Sequence, residues 1–248
     1  MKKKIIIVIF ILISGCSFLF ADIFEDFHNF RIELYNIFTD SDYEEMTEEF
    51  ISKYDLNDLS FEDVLTIENM LLLEKLNFVD TKEFTAELFS QNRKCDEYIK
   101  GKKLDKLSSR FLSSLGDLKS RYVNYISGSA LIKESIAAKK YYTQAIKNDK
   151  YNIDAYIGYG LWLYFAPSIS GGGLKSSLQT FQSAEKCART NYEKYFLYIY
   201  ESQIYLAMGK KDKANEYLDK AHSMVDNESF AKIYLKNRIK EGKPFFDE

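Results

Sequence analysis

From Asp22 onward, apolar side chains recur at the three- and four-residue intervals of helices buried along one side. Ile23, Phe24, Phe27, Phe30, Ile32, Leu34, Ile37 and Phe38 form the first such stripe. Val64, Leu65, Ile67, Leu71, Leu72 and Leu76 form a second. Between the stripes stand residues suited to starting helices, because a short side-chain oxygen accepts from a free backbone N–H. Ser41 has Glu44 three residues on, and Ser60 has Asp63, both at capping-box spacing. Thr81 opens a further stripe through Phe84, Leu88 and Phe89. Only Pro167 and Pro244 break the chain as prolines, and glycine is scarce at 11 of 248 residues. So few breakers cannot supply the many tight turns of a β fold. The pattern predicts an all-α protein of antiparallel helical hairpins. Over residues 22–118 it predicts helices without fixing a repeat register.

The second half carries a period. Tyr122 and Tyr156 stand 34 residues apart, the length of one two-helix repeat unit. Over residues 195–228, Tyr198, Ser202, Tyr205, Gly209, Ala214, Leu218 and Ala221 run as aromatic, small, aromatic, glycine, alanine, large apolar and alanine. The order has a packing reason. A glycine closes one helix tightly onto the next, two alanines let the backbones approach, and Tyr205 and Leu218 fill the layer between them. These spacings resemble the tetratricopeptide-repeat family. Tyr156, Gly160, Phe181 and Ala184 repeat the pattern with five extra residues between the helices. Tyr122, Ala138, Tyr142 and Ala145 repeat it in part, with Ile126 in place of the small residue and Lys133 in place of the glycine. The resemblance implies three units, 119–152, 153–194 and 195–228, stacked as a solenoid, with a C-terminal helix and tail over 229–248.

In that family the first helix of each unit faces a concave groove that takes peptides or helices. With Tyr156 and Tyr198 equivalent, the resemblance puts Asp154, Ile157, Leu161 and Tyr164 on the groove, continued by Phe196, Ile199 and Gln203. Ser120, Val123 and Ser127 would extend it. Members that clamp a C-terminal carboxylate use Lys and Asn at such positions, and this lining has neither. The implied partner is an envelope protein or peptide offering an amphipathic helix, or an apolar small ligand.

Residues 165–176 interrupt the middle unit with Ala166-Pro167 and Gly171-Gly172-Gly173. Lys175-Ser176 follows, but Leu174 separates it from the glycines and no strand precedes, so the segment is not a phosphate-binding loop. It reads as a helix stop at Pro167 and a turn that re-enters helix at Ser176 or Ser177. Together with Tyr156, Tyr159, Leu161, Trp162, Tyr164 and Phe165, it resembles the T-component lipoproteins associated with TRAP transporters. That second resemblance implies a carrier of an apolar solute or lipid serving a membrane transporter.

The first 21 residues form a leader. Lys2–Lys4 precede an apolar run from Ile5 to Ile13, the layout of an export signal. Ile13-Ser14-Gly15-Cys16 resembles a lipobox, which implies cleavage before Cys16 and lipidation of its thiol. Cleavage after Ala21, or retention as an anchor, are the alternatives. The resulting expectation is an exported protein, periplasmic or held at the membrane by a lipid anchor. Cys95 and Cys187 then remain, both expected as free thiols.

Charge and motifs narrow the function. The chain carries a net −3, and the leader holds three lysines and no acid, so the remainder carries −6. No basic field offers itself to nucleic acid. His28 and His222 are the only histidines and neither belongs to a metal-ligand motif, while no nucleophile elbow occurs. Glu44-Glu45 and Glu48-Glu49 are adjacent pairs, whose side chains diverge by about 100° on a helix and cannot flank one bond. The expectation is a non-catalytic binding protein without cofactor or metal.

Overall fold

The computed structural model describes residues 22–34, 40–78, 82–225 and 230–247. The leader with Cys16 lies outside them, as do Ile37, Phe38 and Thr81. Among the described residues all regular structure is helical. The helices are α1 (Ile23–Leu34), α2 (Asp40–Ser52), α3 (Phe61–Phe78), α4 (Lys82–Ile99), α5 (Ser109–Tyr122) and α6 (Gly128–Asn148). They continue as α7 (Ile153–Phe165), α8 (Leu174–Glu185), α9 (Asn191–Ala207), α10 (Lys211–His222) and α11 (Phe230–Glu241).

Local chemistry sets the ends. Ser60 Oγ accepts from the Asp63 N–H at 3.1 Å and donates to the Asp63 carboxylate at 2.7 Å, starting α3. Thr190 and Glu193 form a complete capping box at the head of α9. α2 starts at Asp40, one residue ahead of the expected cap at Ser41. Cys95 and Cys187 are free thiols.

Neighbouring helices pair as α3–α4, α5–α6, α7–α8 and α9–α10, and α3, α5, α7 and α9 each pack against the next. The first helices of four hairpins therefore make a continuous row, the architecture of a helical solenoid. In the last hairpin the contacts match the spacing. Gly209 has φ +74°, the left-handed geometry that closes a helix. It lets the Lys210 N–H reach Tyr205 O at 2.9 Å. Ala214, Leu218 and Ala221 are fully buried, and Ser202 Oγ donates to Ala214 O at 2.8 Å. In α7–α8 the Phe181 ring covers Gly160, where an added Cβ would lie 2.7 Å from it. Ser177 Oγ donates to Gly160 O at 2.7 Å.

Two expectations need correction. Tyr122 is the last residue of α5, whereas Tyr156 lies in the first turn of α7. Their 34-residue interval joins non-equivalent positions, and the first of the three hairpins runs from Ser109 to Asn148 rather than 119–152. Ser108 caps it, its Oγ accepting from the Phe111 N–H at 3.1 Å. Lys133 sits within α6, not in a turn. In the insertion, α8 begins at Leu174, ahead of Ser176, because the Gly173 N–H bonds Leu163 O at 2.7 Å and turns the chain back early. At Gly172 a Cβ would sit 1.9 Å from Ala166 O.

Candidate functional site

The predicted groove residues lie on α7 and α9, the third and fourth helices of the row, and the structure brings them together. The chain itself covers them. Side chains of helix α1 reach α3 at Glu74, α5 at Arg110, α7 at Asp154 and α9 at Tyr192. Its apolar side is plain from its sequence: Ile23, Phe24, Phe27, Phe30 and Leu34 are buried with Tyr43 and Phe50 of α2 and Ile67 of α3. Its other side carries Arg31, which no stripe predicts.

Arg31 is the centre of the contact. Its Nε lies 2.5 Å from Glu74 Oε1, and its Nη1 lies 3.7 Å from Asp154 Oδ1. Nη1 also donates to the Tyr192 hydroxyl at 3.2 Å. The guanidinium stands 4.4 Å over the Phe196 ring, an attraction between a cation and the negative face of the ring. One turn earlier His28 stacks on Tyr192 at 3.9 Å, and burial lowers its pKa. Glu74 is almost buried, with 7% of its side chain exposed. A buried carboxylate is tolerated when paired and is costly alone, about 3–5 kcal/mol when its partner is removed.

Beneath this contact is a second polar group. Tyr142 of α6 passes between α5 and α7 because both helices have glycine there. A Cβ on Gly116 would lie 2.6 Å from the Tyr142 ring, and one on Gly158 would lie 2.2 Å from it. The hydroxyl emerges to donate to Asp117 Oδ1 at 2.7 Å and lies 3.1 Å from Ser120 Oγ. Burial pushes the Asp117 carboxyl up to about 7, opposed by the Tyr142 hydrogen bond.

The C-terminal tail packs on α7 and α9 toward their C-terminal ends. Phe245 N–H donates to Gln203 Oε1 at 3.1 Å, and the Phe246 ring meets Tyr164 edge-on at 4.7 Å. Ile157, Leu161 and Ile199 pack in the same cluster as Ile32 of α1 and Phe245 and Phe246 of the tail. Arg238 holds the tail in place by donating to Pro244 O at 3.0 Å. Every predicted lining residue is therefore in contact with α1, with the tail, or with the apolar cluster they share. Ser120 Oγ lies beside the Tyr142 hydroxyl, and Ser127 precedes α6 as its N-cap.

Sequence reasoning missed Arg31, Glu74, Asp117, Tyr142 and Tyr192. The available signals were a basic residue beside the first apolar stripe, an acid inside the second, and glycines in mid-helix at 116 and 158. A separate groove of about 670 Å³ opens between α2, α3 and α4, floored by Tyr43, Ile51, Leu71 and Leu72. Among the described residues no helix is long and apolar enough to cross a membrane. No family model matches the chain, and no curated protein is significantly similar to it.

Proposed function

We propose that the chain is a non-catalytic binding protein of the bacterial cell envelope, a tetratricopeptide-type scaffold whose groove takes a helix from another protein. The observation behind this reading is the seating of α1. An amphipathic helix lies across α3, α5, α7 and α9, with its arginine neutralised by Glu74 and Asp154 and resting on Phe196. That is the helix-in-groove mode of recognition, used here within one chain. A partner helix of the same kind, with aromatic residues on one side and a single arginine on the other, would exchange with α1. The lipobox reading of Cys16 supports a place at the envelope membrane.

The geometry favours this over carriage of an apolar solute, since the apolar lining at Ile157, Leu161 and Ile199 is already packed by Ile32 and the tail. Native mass spectrometry of the protein purified from its own cells separates the two. A co-purified polypeptide, released when excess peptide of residues 22–36 is added, supports the scaffold. A bound lipid or small solute supports the carrier and overturns the proposal.

A further inference from the structure

The first six residues of α6, 128–133, are all exposed, although they hold Ala130, Leu131 and Ile132. Ile132 is 60% exposed and Ile136, one turn on, 61%. The insertion between α7 and α8 adds Phe165 at 60% and Ile169 at 95%. Both groups occupy one edge of the molecule. Trp162 Nε1 donates to Ser135 O at 2.9 Å, and Lys139 Nζ donates to Ser170 O at 2.9 Å, tying α6 to the insertion. A single exposed isoleucine is ordinary. Four large apolar side chains gathered on one edge make a patch that water disfavours.

Along the two elements that carry the patch the charge is one-sided. From Leu118 to Asn148 the only acid is Glu134, and it is turned inward, 13% exposed and 2.7 Å from the buried Lys119 Nζ. From Ala155 to Ala184 there is no acid at all. Lys133, Lys140 and Lys175 stand exposed around the apolar tips. A chain with a net charge of −3 has thus collected lysines beside this apolar patch. A second copy of this edge would set lysine against lysine across a two-fold contact, which disfavours self-association through it.

We propose that this edge is a lipid-binding surface. Ile132, Ile136, Phe165 and Ile169 enter the boundary between headgroups and acyl chains, while the lysines engage anionic headgroups. Phe165 borders the tail, its ring 4.8 Å from Tyr164 and 6.0 Å from Phe246, and the contact does not require acylation at Cys16. It would lay the solenoid against the membrane instead of leaving it on a tether.

Trp162, the only tryptophan of the chain, lies at the patch and reports on it. The test uses the full chain with Cys16→Ser, mixed with phosphatidylglycerol vesicles whose acyl chains are brominated, and with brominated phosphatidylcholine vesicles. Contact quenching of Trp162 is expected on the anionic vesicles, weaker on the zwitterionic ones and reduced by salt. Ile132→Ser with Ile169→Ser should weaken the quenching interaction about tenfold or more while leaving the circular dichroism unchanged. Vesicle binding without quenching of Trp162, and equal for the double variant, would assign the contact to the leader and overturn the proposal. Absence of any vesicle binding would overturn it too. So would a dimer in sedimentation velocity that the double variant abolishes, since the patch would then serve a second copy.

Discussion

In α9–α10 the paired helices approach through small groups. Ser202 Oγ reaches Ala214 O, Ala221 is buried beside it, and Gly209 makes the turn. In α5–α6 a tyrosine stands at the position that Leu218 holds in α10. Tyr142 is driven between Gly116 and Gly158, and its hydroxyl appears on the far side at Asp117. The α9–α10 hairpin is closed by residues within itself. The α5–α6 hairpin is closed by a wedge that also needs a glycine from α7, so it couples two hairpins and carries a polar group toward α1.

Breaking the wedge should have the largest effect. Gly158→Ala places a Cβ 2.2 Å from a ring that is 1% exposed and hydrogen-bonded at its tip, so the ring cannot swing aside. The expected loss is about 3 kcal/mol in urea unfolding, and it should largely vanish in a Tyr142→Ala background. The same substitution at Gly209 meets open space and opposes only the φ of +74°, at about 1 kcal/mol. Equal losses at the two glycines would contradict the wedge.

The comparison sharpens with pH. Glu201 of α9 is fully buried, and among the described residues neither of its carboxylate oxygens has a hydrogen-bond partner. Burial, with the nearby Glu185 adding to it, pushes its pKa up to about 8 from the ordinary 4.5. Between those values the folded chain keeps a proton that the unfolded chain gives up. Its contribution to stability is therefore intact below about pH 4.5 and is lost as the pH rises toward 8. Glu201→Gln should flatten that slope and gain about 1–2 kcal/mol over the wild type at pH 8. Parallel unfolding profiles for the two proteins at pH 5 and pH 8 would show that Glu201 reaches water.

The same contrast explains what the sequence could reveal. Gly209, Ala214 and Ala221 are legible because a short turn makes spacing along the chain equivalent to contact in space. Where the connection lengthens, between Tyr122 and Gly128, the period from Tyr122 to Tyr156 loses its meaning and the register with it. Tyr142 could not be read as a wedge, since its slot is built from glycines on two other helices. Helix α1 was visible as an apolar stripe, but Arg31 meets Tyr192 across 161 residues of chain, and no periodicity carries information over that distance. Asp154 and Phe196 both meet Arg31, while Gln203 meets the tail. That the protein's own helix and tail cover these residues follows only from tertiary structure.

The central claim is that α1 is a ligand of the solenoid held in place by Arg31, and hydrogen exchange measures this directly. In the wild type, α1 amides should be protected comparably to those of α9. Arg31→Ala strands Glu74 without its partner and should lower α1 protection by about 3 kcal/mol while α9–α10 keeps its own. Rapid exchange of α1 in the wild type, or loss of protection in α9–α10 together with α1, would contradict it.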